Sequence, residues 1–226
     1  MIEYDVDIKF GIEPVMTEQV AAIIKMYGAD TEKLKTAAVE HKCRIKLNDA
    51  DICFITGASG AGKSAILNEM YNQTPRQSRI YLDYNRRHKI REHRQKTVVE
   101  NIDNEPLAAI RKLNTAGICD LTSTLNSPDK LSDGQWYRYQ LAKVLAEPKK
   151  VVFADDFCSG LDRITASVVA GHIRKYAKKT KTIFVLATSH DDLVCDLRPE
   201  VVVIAKQNRC DAEVVYRDTS VSMLRK

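Results

Sequence analysis

The stretch GASGAGKSA, residues 57–65, combines the residue types that hold a chain of phosphates. Gly57, Gly62, Lys63 and Ser64 occupy the fixed positions of G-x-x-x-x-G-K-[ST], between the apolar run ICFIT at 52–56 and a segment of helical period. Glycines let successive backbone N–H groups turn inward around a phosphate, and the following helix adds the positive end of its dipole. A lysine reaches the outer phosphate oxygens, and a hydroxyl at the next position can ligate Mg²⁺. The candidate nucleotide-binding residues are therefore Gly57, Ala58, Ser59, Gly60, Ala61, Gly62, Lys63, Ser64 and Ala65. The loop points to a nucleoside triphosphate with Mg²⁺. By itself it does not separate adenine from guanine, or a kinase from an ATPase.

Such a loop needs a strand before it and a helix after it, and the pattern along the chain supplies both. Ile2, Tyr4, Val6, Ile8 and Phe10 alternate with charged neighbours, the period of a strand with one buried face. In TEQVAAIIKMYG, Val20, Ile23, Ile24 and Tyr27 follow helical spacing, with Thr17 as cap and Gly28 as stop. CRIKL at 43–47 alternates again and turns through NDAD into 52–56, which reads as a hairpin feeding a buried strand. RIYL at 79, VVFA at 151, IFVLA at 183 and VVVIA at 201 lack polar alternation, as expected of parallel strands covered on both faces. SAILNEMYNQ, PLAAIRKLN with Pro106 in its first turn, and ITASVVAGHIRKYAKK read as the helices between them. The predicted class is α/β, with a mostly parallel sheet and no internal repeat.

The 226 residues suffice for one large domain. Thirty-five Lys and Arg against 30 Asp and Glu give +5, compatible with a phosphate-bearing ligand without demanding one. The six cysteines lack C-x-x-C pairing, which argues for reduced thiols in a cytosolic protein over disulfides or zinc. No apolar run approaches the ~18 residues that span a bilayer. No contact with a membrane is expected of this chain alone.

Downstream, LSDGQWYRYQLAKVLA (131–146), VVFADDFCSGLD (151–162) and IFVLATSHDD (183–192) come after the loop in order. Together they resemble the ABC-type ATPases. LSDGQ is similar to that family's L-S-G-G-Q signature, with Asp133 in place of the first glycine. The resemblance implies an ABC ATPase fold of the P-loop NTPase class, with an N-terminal antiparallel β lobe and a short helical lobe carrying the signature. It also implies a homodimer closed around two ATP molecules. Ser132, Gly134 and Gln135 would then grip the nucleotide held by the opposite subunit, Asp155 would hold Mg²⁺ with Ser64, and Asp156 would position the attacking water. Most members have Glu where Asp156 stands, and the shorter side chain is compatible with slow or partner-dependent hydrolysis. His190 would be the switch histidine, completing a catalytic set of Lys63, Asp156 and His190. Tyr27 is the candidate for stacking on adenine, with a helix-terminal tyrosine packed in the core as the alternative. KTVVENI at 96–102 resembles the segment just after the family's glutamine loop, whose own residue falls at His88 or Gln95.

The resemblance covers residues 40–216, leaving 1–39 as a strand–helix extension and 217–226 as a tail of one domain. ADDFCSGLDRITA, ATSHDDL and AEVVYR are similar to a soluble branch fused to or associated with GNAT-type acetyltransferases. That branch implies a protein partner outside the membrane, acetyltransferase or another modifying enzyme. The alternatives are the energy-coupling subunit of a membrane transporter, or an ATP-dependent assembly switch with little turnover. RRHKIREHRQK at 86–96, with Tyr81 and Tyr84 upstream, could touch nucleic acid phosphates, although such runs are more often solvated faces.

Overall fold

A computed structural model describes residues 1–10, 15–28, 39–83, 96–206 and 211–217. Strand β1 (Ile2–Phe10) pairs antiparallel with β2 (Val39–Leu47), from Ile2 opposite Leu47 to Phe10 opposite Val39. Six further strands, β3 (Ile52–Thr56), β4 (Arg79–Leu82), β5 (Val151–Ala154), β6 (Ile183–Ala187), β7 (Val201–Ile204) and β8 (Glu213–Tyr216), form a second sheet in the order β4-β5-β6-β3-β7-β8. All neighbours there are parallel except β7 and β8.

The hairpin expected between 43–47 and 52–56 does not form. Alternation buries only one face of β2, with His41, Ile45 and Leu47 inside and Lys42, Arg44 and Lys46 outside. Every residue of β3 is buried, so it takes the centre of the parallel sheet, between β6 and β7. The turn at 48–51 performs the change of sheet. Asn48 N–H donates to the Asp51 carboxylate at 2.7 Å, Asp51 N–H donates back to the Asn48 carbonyl, and Ala50 adopts φ 69°.

Helices cover both faces. On one side Cys53 and Ile55 of β3 pack with Ile66, Leu67 and Met70 of α2 (Lys63–Gln73) and with Tyr4, Val6 and Ile8 of β1. The Tyr4 hydroxyl lies 3.0 Å from Thr74 Oγ1, fastening the β lobe to the end of α2. Residues 2–10 are thus part of the body that carries the loop. On the other side Ile52 and Phe54 face α5 (Asp133–Ala146) and α6 (Arg163–Thr180), which share a core with α3 (Pro106–Thr115), while α4 (Leu121–Leu125) buries Ser123 and Thr124 and leaves its leucines exposed. Pro106 opens α3 behind a Glu105 cap, as its position in the sequence predicts.

Helix α1 (Glu18–Met26) forms where its period and its Thr17 cap predict, yet none of its residues is buried. Tyr27, at its C-terminal end, is 83% exposed, so the core-packing alternative for this residue fails. Cys43, Cys53, Cys119, Cys158 and Cys195 are free thiols. The short α7 (Val194–Leu197) links the fourth motif to β7.

Candidate functional site

The phosphate loop leaves β3 at Thr56 and is seated against the end of β7. Gly57 has φ 141°, and a Cβ there would lie 2.2 Å from the Ala205 carbonyl oxygen, so the loop's first position admits no side chain. Gly62 is the N-cap of α2 and supplies no side-chain cap, which leaves the first-turn amides to an outside acceptor. Lys63 is only 8% exposed. Its Nζ donates to the carbonyls of Gly57 and Ala58 at 2.8 and 2.9 Å, folding the ammonium over the loop it would share with a phosphate. Beneath it, fully buried His41 has Nε2 2.6 Å from the Ala61 carbonyl, and an N–H donated there braces the loop from below.

An open cleft of about 540 Å³ lies over the loop. It is lined by Ser59, Gly60, Gly62, Lys63, Ser64, Ala65, Asp156 and Ser189. Three strand ends meet there, which is where a doubly wound sheet holds its ligands.

The carboxylates come just after β5. Asp155 is half-buried and its Oδ1 accepts the Asp156 N–H at 3.0 Å. Asp156 and Cys158 take φ 46° and 59°, left-handed backbone at two of three consecutive residues without glycine. Their neighbours hold this geometry: Phe157 N–H donates to Ala187 at the end of β6, and Cys158 N–H donates to the Tyr137 hydroxyl on α5, at 2.9 and 3.0 Å. Burial pushes the Cys158 thiol up to about 12, so it behaves as an inert core residue.

After β6 comes Thr188, and His190 N–H donates to its Oγ1 at 3.2 Å. The Thr56 hydroxyl donates to the Asp191 carboxylate, clasping this turn to the strand that feeds the phosphate loop. His190 Nδ1 lies 3.1 Å from Arg163 Nη2, and Arg163 also pairs with Asp192 at 2.9 Å.

Ser132 caps α5 in a capping box. Its Oγ accepts Gln135 N–H at 3.3 Å, while Gln135 Oε1 accepts Ser132 N–H at 2.9 Å and Gln135 Nε2 donates to Ser123 at 2.8 Å. Gly134 abuts Leu161, whose Cδ2 would lie 3.3 Å from an added Cβ.

The fold brings Lys63, Ser64 and Asp156 to one cleft, with Asp155 and His190 each one residue from its wall. Ser132, Gly134, Gln135 and Tyr27 do not line it. His88, Gln95, Tyr84 and all but Lys96 of the basic run 86–96 lie outside the described residues. Three residues of the site go unread in the sequence: His41, Asp191 and Arg163. The signal for His41 was available, since it continues the buried alternation of Ile45 and Leu47 toward the N-terminus of β2.

A family profile described as ABC transporter matches residues 41–159. The chain belongs to the ABC transporter family. Its motif order and fold are those of an ABC-type ATPase domain, and ATP with Mg²⁺ is the ligand pair such domains use. Among its relatives is the methionine import ATP-binding protein MetN of Streptococcus mutans, 28% identical over 81% of this chain and 62% of that protein. A MetN of Streptococcus pneumoniae is 26% identical over 80% of this chain and likewise 62% of its own length. The chain thus spans about three fifths of these relatives. Among solved structures, the dimeric ATP-binding cassette MJ0796 in a post-hydrolysis state, bound to ADP and Pi, shares the fold. Its TM-score is 0.61 at 16% identity, over 80% of this chain and 93% of that one. The described residues contain no helix long and apolar enough to cross a membrane.

The site's donors fit the ligands of an ABC cassette. A folded-back lysine and uncapped helix amides suit an anion, and the hard oxygens of Ser64 and Asp155 suit Mg²⁺ better than a softer metal.

Proposed function

We propose that this chain is the nucleotide-binding domain of an ABC import system, pairing with a second copy around Mg-ATP and hydrolysing it to drive a membrane-embedded partner. The observation that carries the ATPase part is the convergence of Lys63, Ser64, Asp156 and Ser189 on one cleft, from the ends of three different strands. Import is supported by the relatives, whose names are those of import ATP-binding proteins.

In this reading the loop amides and Lys63 bind the phosphates, Lys63 exchanging two carbonyl partners for phosphate oxygens. Ser64 and Asp155 hold Mg²⁺, which supplies charge neutralisation across the phosphate oxygens. Asp156 orients water, and the left-handed backbone at 156 aims its short side chain into the cleft. His190 donates to the outer phosphate. Ser132, Gly134 and Gln135 stand outside the cleft of their own chain, so they are available to the nucleotide of a second copy. Tyr27, exposed and away from the cleft wall, is free to meet a base only if α1 and the loop come together on binding.

The test exploits the cap at Ser132. Asp caps a helix as well as Ser does, so Ser132→Asp should leave α5 intact while setting a carboxylate against the partner's phosphates. Light scattering should show Mg-ATP-dependent pairing in the parent and none in Ser132→Asp, with thermal stability unchanged. Pairing and phosphate release undiminished in the variant would overturn the two-copy site. Affinity purification in mild detergent addresses the partner. A multispanning membrane protein is expected, whereas an acetyltransferase or other modifying enzyme would favour the second reading, which the phrases ADDFCSGLDRITA and ATSHDDL support.

A further inference from the structure

The switch turn is held from both sides by groups to which the sequence motifs assigned no role. Asp191 accepts from Thr56 on β3, and Asp192 pairs with Arg163, the first residue of α6. Arg163 also places Nη2 3.1 Å from Nδ1 of His190. A guanidinium has only donors and keeps its proton throughout the working pH range, so in this contact Nδ1 must be the acceptor. A neutral imidazole with an acceptor at Nδ1 carries its hydrogen on Nε2.

We propose that Arg163 is a positioning residue: it holds His190 as the Nε2–H tautomer, the form that donates through Nε2 to an anionic oxygen. The benefit to hydrolysis rests on the reading of His190 as the phosphate-facing switch; the tautomer assignment does not. Asp192 fixes the guanidinium's direction, so the arrangement is a relay from carboxylate to guanidinium to ring. Arg163 sits directly after Asp162, the cap of α6, at the end of the CSGLD turn. Displacing that turn, as closure against a second copy would, therefore changes the donor that sets the ring. The same reasoning gives the opposite assignment at His172. There Nδ1 faces the Thr115 carbonyl at 3.2 Å, an acceptor, and the hydrogen belongs on Nδ1 instead.

The experiment is a long-range ¹H–¹⁵N correlation on histidine-labelled full chain without nucleotide at pH 8, with His190 identified by its loss in His190→Gln. The parent should show an unprotonated Nδ1 and a protonated Nε2. Arg163→Lys keeps a donor and should keep the pattern, Arg163→Met should give mixed tautomers, and Arg163→Glu, which offers only an acceptor at high pH, should move the hydrogen to Nδ1. In ATP turnover, Arg163→Met should lower kcat by about 10- to 100-fold with KM little changed, and Arg163→Lys should recover most of it. Identical ring spectra in the parent, Arg163→Met and Arg163→Glu would overturn the proposal. An intact Nε2–H pattern in a parent that releases no phosphate would instead sink the ATPase reading and leave the tautomer assignment standing.

Discussion

Replacing Gly57 by alanine should unseat the phosphate loop, and the geometry sets the size of the effect. The new Cβ would start 2.2 Å from the Ala205 carbonyl oxygen and 3.1 Å from its carbon, where real Cβ contacts essentially never fall below 3.0 Å. Ala205 cannot retreat freely. Its N–H donates to Thr56 at 2.8 Å, and Ile204 is paired with Thr56 in the parallel ladder. Relief thus requires parting the end of β3 from the end of β7 and losing a buried backbone bond, about 1–3 kcal/mol. Overpacking adds about 1–3 kcal/mol, and the positive φ of 141° a further ~1–2 kcal/mol. The total of about 3–8 kcal/mol corresponds to a fall in Tm of roughly 6 °C or more for a chain of 226 residues. Gly60→Ala is the control. Gly60 has φ 77° but open space around its Cβ position, so only the conformational cost of about 1–2 kcal/mol applies. Calorimetry of both variants, with titration of a fluorescent ATP analogue, separates the effects. Gly57→Ala melting at or above Gly60→Ala, with nucleotide affinity retained, would refute the claim that the loop is wedged against β7.

Asp156→Asn should reduce phosphate release at least tenfold while ATP still binds, because the amide keeps the shape and loses the base; a phosphate-release assay beside equilibrium binding checks both halves. Glu200, 14% exposed, accepts from Ile52 N–H and from Arg174, Lys178 and Arg217; burial raises its carboxyl, but these donors outweigh it and hold the group below its ordinary 4.5. Glu200→Gln should therefore lower stability by about 2 kcal/mol near neutral pH. Since the folded carboxyl is depressed, that contribution is present above pH 4.5 and lost as pH falls through the lower folded value, so melting curves of parent and variant should converge below pH 4.5. The Tyr139 hydroxyl is buried without a hydrogen-bond partner in the described structure, and burial pushes its ionisation upward; Tyr139→Phe should raise stability by up to about 1 kcal/mol, read as a small rise in Tm.

Local periodicity was enough for most of the scaffold. The strands at 2–10, 52–56, 79–82, 151–154, 183–187 and 201–204 lie where the apolar runs lie, because burial on one or both faces writes directly into a period of two or an unbroken run. Partner choice is what the pattern could not carry. CRIKL and ICFIT are close in sequence and joined by a tight turn, the usual sign of a hairpin, but which strand pairs with which depends on long-range packing. Within the site, fixed-spacing motifs were legible and bracing residues were not. Nothing about Asp191 or Arg163 announces a role until β6 turns back over Thr56 and α6 begins beside His190, and His41, whose burial the alternation did signal, gains its role only when β2 passes under Ala61. Tyr27 shows the converse: helical spacing placed it at the end of α1, but α1 contributes no buried residue and Tyr27 is itself exposed, so an apolar period does not by itself mean a covered face.

The segment 155–163 links these parts physically. From one stretch of nine residues, Asp156 lines the cleft, Cys158 hangs from Tyr137 and Leu161 presses on Gly134 of the signature helix, Phe157 binds the end of β6, and Arg163 reaches His190. The two left-handed residues make so many contacts possible in so short a span, since a regular turn would direct fewer side chains and amides to separate elements. A displacement of α5 would therefore act on Cys158 and Leu161 directly, and through them on Asp156 and Arg163. The amides of Phe157 and Cys158 tie the segment to the end of β6 and to the Tyr137 hydroxyl on α5, so the two elements are joined through two consecutive residues.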